Sequence, residues 1–181
     1  MPSPMTNLIG SQRRCTECGA PQHVVRKTVN YPESGLNNVE LSNVPVWVCE
    51  NGHEEVEIPA MTELHEALAQ MIIRKPAHLD GAEIKFLRRR TGLSAKEFAD
   101  RIGITPQHLS RLENNRGKSR VLDLLIRLSI ASMIASRGHR PFPSDLVPFV
   151  DQLESAWDIG AHRLKHNDQA APDHEWEAAA A

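Results

Sequence analysis

Alternation is the first pattern along this chain. Residues 22–31, QHVVRKTVNY, and 39–48, VELSNVPVWV, interleave valines with polar residues, as half-buried strands require. The intervening PESGLNN is rich in turn formers. After Pro59 the period lengthens: in MTELHEALAQMII, Leu64, Leu68 and Met71 recur at spacings of four and three, which predicts an amphipathic helix. Arg74-Lys75-Pro76 ends it, because proline disfavours helical geometry in the residue before it. A domain boundary is expected near this point, with the helix as connector.

From Asp80 to about Gly138 the pattern is a run of short helices. PFPSDLVPFVDQLESAW predicts one more, capped by Ser144 and kinked at Pro148. The final HNDQAAPDHEWEAAAA is polar and aperiodic, and disorder is expected there. The pattern predicts an α+β chain. Its parts are a small β-rich domain over 1–60, a connector helix and linker over 61–78, and an all-α domain over 79–138. An extra helix over 139–165, of unassigned role, and a disordered tail over 166–181 complete it.

The helical stretch contains LSAKEFADRIGITPQHLSRLENNRG, whose local signals agree with one another. Ser94 caps a helix and Glu97, three residues on, completes a capping box. Ala99 is small where two helices cross, Gly103 takes the turn and Ile104 plugs the core. Thr105 caps a second helix with Pro106 at its first position. Leu109 and Leu112 face inward, leaving Gln107, His108, Ser110 and Arg111 outward. A helix through Ile84 and Leu87 precedes this pair. Another follows, with Val121, Leu124, Leu125 and Leu128 expected on its inward stripe. The arrangement predicts a helix-turn-helix, whose second helix presents outward residues to base edges in the major groove. Gln107 suits adenine and Arg111 guanine, each bidentately. Thr105, His108, Ser110 and Lys118 are candidates for phosphate or further base contacts, with Arg89, Arg90 and Lys96 adding affinity from the flanks.

Charge distribution supports this assignment. The net charge of −2 divides into −5 over residues 1–73, +7 over 74–120 and −4 over 121–181. A basic block between acidic flanks suits a polyanion-binding module joined to parts with other tasks. No apolar run approaches the ~20 residues needed to span a bilayer. The start, MPSPMTNLIGSQRR, lacks the apolar core of a signal peptide, so a cytoplasmic location is expected.

In a reducing compartment, three cysteines argue for metal rather than a disulfide framework. Cys15 and Cys18 form one knuckle in CTECG, and Cys49 begins another in CENGH. His53 is the preferred fourth ligand, because Gly52 lets the backbone fold back and the spacing forms a second knuckle. His23 and Glu50 are the alternatives. Four protein ligands leave no open position, so the expected Zn2+ is structural, stabilising a small domain with few large apolar residues. No H-E-x-x-H occurs, and no catalytic residue or enzymatic activity is expected.

Together CTECG, NVPVWVCENGHEE and EIKFLRRRTGLSAKEFADRIGITPQHLSRLENNRGKSR resemble the MqsA-like antitoxins, which join a YgiT-type zinc finger to an Xre-like helix-turn-helix. The resemblance covers roughly residues 13–130. The family's finger ends in C-x-x-C; here Gly52 takes the fourth cysteine's position, with His53 beside it. Its DNA-reading asparagine and arginine correspond, by the S-R-x-E match, to Gln107 and Arg111. The resemblance implies a homodimeric antitoxin that neutralises a toxin protein, typically an mRNA-cleaving ribonuclease, and represses its own operon by binding double-stranded operator DNA. A dimer is also expected because one helix-turn-helix reads few base pairs. LLIRLSIASMIA and LVPFVDQL are candidate interfaces or, equally, core. The alternative is a stand-alone zinc-containing helix-turn-helix transcription regulator.

Overall fold

The computed structural model describes residues 13–136, 162–166 and 176–178. The chain is α+β, with an antiparallel sheet preceding a succession of helices. Two compact units divide it: one comprises the residues up to Asn30, Glu40–Leu64 and those from Arg163, the other Tyr31–Val39 and His65–His162.

In the first unit, β1 (Gln22–Asn30) pairs antiparallel with β2 (Val39–Cys49), and β2 with β3 (Glu54–Val56). The register sets Gln22 opposite Cys49 and Val25 opposite Val46, with an irregularity between Lys27 and Val29. Strand β2 is central and carries the core side chains Leu41, Val44, Val46 and Trp47. The Trp47 indole donates to Glu57 at 2.7 Å, and the Arg13 guanidinium lies 5.4 Å from its ring centroid. Arg13 also pairs with Glu55, and Lys27 with Glu54, so much of the local acidity is internally balanced.

Two strands lie where the sequence pattern has none. Strand β4 (His162–His166) pairs with β5 (Trp176–Ala178), extending the sheet in the order β1-β2-β4-β5. Segments of five and three residues are too short to display a period, and their pairing is non-local. Apart from residues 162–165, which are strand, the helix expected over 139–165 falls outside the described residues.

In the second unit the β1–β2 connection folds with the helices, burying Tyr31, Leu36 and Val39. The helices are α1 (Met61–Arg74), α2 (Gly81–Arg90), α3 (Ala95–Arg101), α4 (Pro106–Glu113) and α5 (Arg120–Ala135). Helix α1 begins in the first unit, and from His65 it belongs to the second. Tyr31 Oη lies 2.9 Å from His65 Nε2, and the His65 ring meets Phe86 of α2 edge-on. Along α1, Leu64, Leu68 and Ile72 are fully buried, while Met71, expected on that stripe, is half-buried. The inward residue is one position later, continuing a spacing of four.

Helix α5 departs further from expectation. Of the stripe predicted to face inward, Val121 is 74% exposed and Leu128 43%, while Leu124 and Leu125 are half-buried. The buried face carries Asp123, Ile126, Arg127, Ile130 and Ala131. Both faces are rich in aliphatics, so periodicity alone does not choose between them. The choice follows two charged residues. Arg127 Nε donates to Asp123 at 2.8 Å, its Nη1 to the carbonyls of Ile72, Ile73 and Lys75, and its Nη2 to that of Ala77 at 2.6 Å. One guanidinium thereby satisfies carbonyls at the end of α1 that lack helical partners. The other Asp123 oxygen accepts from the Leu79 amide at 2.7 Å.

Removing one partner of a buried charge pair costs about 3–5 kcal/mol, because the other charge stays desolvated. Arg127→Ala is expected to lose that much in urea denaturation. Arg127→Lys should recover only part of it, since an ammonium cannot reproduce the fork. Native-like stability of Arg127→Ala would contradict this assignment.

Candidate metal centre and nucleic-acid interface

Two tight turns create the first site. The Gly19 amide donates to the Cys15 carbonyl at 2.9 Å, and the Gly52 amide to the Cys49 carbonyl at 3.0 Å. Both glycines have left-handed backbones, φ 72° and 81°, which L side chains rarely adopt. The Cys49 amide donates to the His53 carbonyl at 3.1 Å, closing the second knuckle and turning the imidazole back toward the first.

The ligand atoms of Cys15, Cys18, Cys49 and His53 all lie within 4.8 Å of one another. Cys15 Sγ is 3.5 Å from His53 Nδ1, and Cys18 Sγ is 3.8 Å from Cys49 Sγ. Tetrahedral bonds of ~2.3 Å to sulfur and ~2.0 Å to nitrogen require ligand separations of roughly this size. The donor set therefore fits a metal ion held by Cys3His. His23 is exposed on β1 and neither it nor Glu50 belongs to the cluster.

Surrounding groups act on the thiol and imidazole donors in opposite senses. The Asn51 amide and the Ala20 backbone lower the Cys18 pKa to about 6, raising the thiolate fraction. Hydrogen bonding to Cys18 and then Cys15 raises that of His53, so protons compete with a metal at this nitrogen base. Glu17 Oε2 stands 3.5 Å from His53 Nε2, on the ring edge away from the thiols, where a carboxylate orients a ligating imidazole. Sequence spacing gives no sign of Glu17 or Asn51 in these roles.

Caps and close packing shape the second site. Ser94 and Glu97 form the expected capping box on α3, and Asp80 and Glu83 form another on α2. Thr105 Oγ1 accepts from the His108 amide at 3.1 Å, starting α4 at Pro106. Gly81 closes the packing: a Cβ there would meet the Glu113 carbonyl oxygen at 2.2 Å, so α2 begins directly against the end of α4. Arg88 donates to Glu113 at 2.6 Å and Gly81 N to Asn115 at 2.8 Å, fixing the same junction.

With Leu109 and Leu112 buried, α4 exposes Gln107, Ser110 and Arg111. His108 is half-buried, and exposed Thr105 already uses its oxygen in the cap. Beyond α4, every residue from Asn114 to Arg120 is exposed, including Lys118 and two cations not singled out in the sequence, Arg116 and Arg120. Left-handed backbones at Asn115 and Gly117 shape this basic turn. Arg89 and Lys96 are exposed and Arg90 is half-buried. Arg88 and Lys75 are held by Glu113 and Glu83, so the solvent-facing positive charge lies elsewhere.

Residues 84–126 match the helix-turn-helix family model, a range that opens within α2 and closes within α5. The match supports a DNA-binding regulator of the helix-turn-helix type. It does not extend to the cysteine-bearing unit. The chain as a whole matches no curated protein and no solved structure. No described helix is long and apolar enough to cross a membrane.

Reduced protein titrated with Zn2+ should bind one ion per chain, and His53→Ala should require at least about tenfold less chelator to strip it. Equal chelator resistance in His53→Ala would remove His53 from the ligand set.

Proposed function

We propose that this protein is the antitoxin of a toxin–antitoxin pair, a homodimer that represses its own operon through α4 and neutralises a partner toxin through its cysteine-bearing unit. The observation carrying this reading is one chain that joins a Cys3His cluster to a helix-turn-helix. That is the architecture implied by the resemblance to MqsA-like antitoxins. Zinc is the metal that thiolate and imidazole donors favour, and it supplies folding free energy to the small sheet.

On DNA, α4 enters the major groove. The Gln107 amide pairs with an adenine edge and the Arg111 guanidinium with guanine O6 and N7. Ser110, His108 and the Thr105 hydroxyl hydrogen sit beside them for further contacts. Lys118, with Arg116 and Arg120, anchors the turn to phosphates, setting the register without reading sequence. The repressor occludes its own promoter, and no step requires catalysis by this chain. The partner is expected to be a ribonuclease, whose RNA-binding surface is cationic.

A stand-alone zinc-containing regulator is the second reading. The internal pairing of Glu54, Glu55 and Glu57 favours it, because these carboxylates are less available to a basic partner. Growth separates the two. The small open reading frame beside this gene, expressed alone, should arrest cells, and co-expression of this chain should restore growth with both proteins co-purifying. A harmless neighbour with no co-purification would leave the regulator reading. Arg111→Ala should weaken operator binding by about 1–3 kcal/mol and relax preference at one base position. An unchanged base preference would exclude Arg111 as a reader.

A further inference from the structure

The three thiols of the cluster differ in access. Cys15 and Cys49 are 4% and 3% exposed, whereas Cys18 lies at the surface. Cys18 Sγ is also in contact with Cys49 Sγ, at 3.8 Å, and the Asn51 amide donates to it at 3.4 Å. One side of this sulfur is therefore open to solvent while another faces a second thiol. The two cysteines are 31 residues apart in the chain. Strand pairing, with Gln22 opposite Cys49, holds their knuckles together independently of any metal.

We propose that Cys18 is a site of peroxide oxidation with Cys49 as its resolving partner, so that the cluster exchanges a bound metal for a disulfide between the two knuckles. The inference rests on the Cys3His reading of the centre. The Cys18 thiolate attacks one oxygen of hydrogen peroxide. An S–O bond forms, the O–O bond breaks and hydroxide leaves, giving the sulfenic acid. The Cys49 thiolate then attacks the Cys18 sulfur, forming the S–S bond as the S–O bond breaks and a second hydroxide leaves. Each hydroxide takes a proton from solvent, so two thiolates are oxidised and one peroxide is reduced to two waters. A dithiol reductant attacking the exposed Cys18 sulfur reverses the exchange.

The consequence follows from where the parts lie. Cys15 and His53 alone offer a metal two donors, so the ion leaves. The new bond ties the two knuckles as the ion did, whereas a Cys15–Cys18 bond closes only a short turn within one of them. A disulfide across a long loop restricts the unfolded chain more than one across a short loop. The sheet unit therefore stays cross-linked after metal loss. All four ligands belong to that unit, where the change begins. The cluster is thus a switch between two cross-links of one folded unit rather than a trigger for its unfolding.

The test exposes full-length, zinc-loaded protein to hydrogen peroxide. Free Zn2+ is read with a colorimetric chelator, and disulfides are located by mass spectrometry after alkylation without reduction. One Zn2+ should be released per Cys18–Cys49 bond formed, at least about tenfold faster than without peroxide, with Cys15 alkylated. The oxidised, metal-free protein should melt at least about 5 °C above the reduced, metal-free protein. In Cys49→Ser, oxidised Cys18 should stop at the sulfenic acid and be trapped by dimedone. Zinc retained under peroxide, a disulfide made mainly by Cys15, equal melting of the two metal-free forms, or no dimedone label on Cys18 each overturns the proposal. Reduced protein that binds no Zn2+ would instead overturn the Cys3His reading beneath it.

Discussion

A single buried guanidinium organises the helical unit. Arg127 is fully buried and donates to Asp123 and to carbonyls between Ile72 and Ala77. Burial lowers its pKa, opposed by the charges of Asp123 and Glu83. An arginine retains its proton under such desolvation where a lysine would release it. Through this group the end of α1 and the segment after it are fastened to α5. Asp123 extends the hold to Leu79, and two residues later Gly81 begins α2 against the end of α4. The end of α4 is thus tied, through Leu79 and Gly81, to a charge network outside α4, and the Arg88–Glu113 pair fixes the same junction.

That network also decides which side of α5 faces outward. Asp123 and Arg127 are one turn apart, so pairing them inside turns Val121 and Leu128 to solvent and leaves Leu124 and Leu125 half-buried. Sequence reasoning chooses the opposite rotation because charged residues are rarely buried and leucines usually are. The exception is readable only with the carbonyls that Arg127 satisfies, and these come from a segment some fifty residues earlier. Strands β4 and β5 escape sequence reading for a related reason, since their hydrogen bonds are made far along the chain.

What was legible in the sequence is local. The caps at Ser94 and Thr105, the turn at Gly103 and the inward leucines of α4 are each set within four residues of one another. The cysteine spacing and Gly52 likewise shape each knuckle locally, while the β1–β2 pairing, with Gln22 opposite Cys49, brings the two knuckles together. Their supporting groups, Glu17 and Asn51, carry no spacing signature. The basic turn of Arg116, Lys118 and Arg120 was visible only in part, because charge alone does not distinguish a solvated cation from one held by Glu83 or Glu113.

The two units divide the chemistry accordingly. One concentrates its carboxylates around Arg13, Lys27 and a cluster of soft ligands. The other carries exposed cations, Arg111, Arg116, Lys118 and Arg120, on and after a capped helix. Selection of bound duplexes from a random pool by the full-length protein tests this account most directly. The account predicts enrichment of a two-fold-related sequence with half-sites about one helical turn apart, and binding that weakens steeply with salt as counterions are released. A pool without any enriched sequence, or binding indifferent to salt, would contradict it.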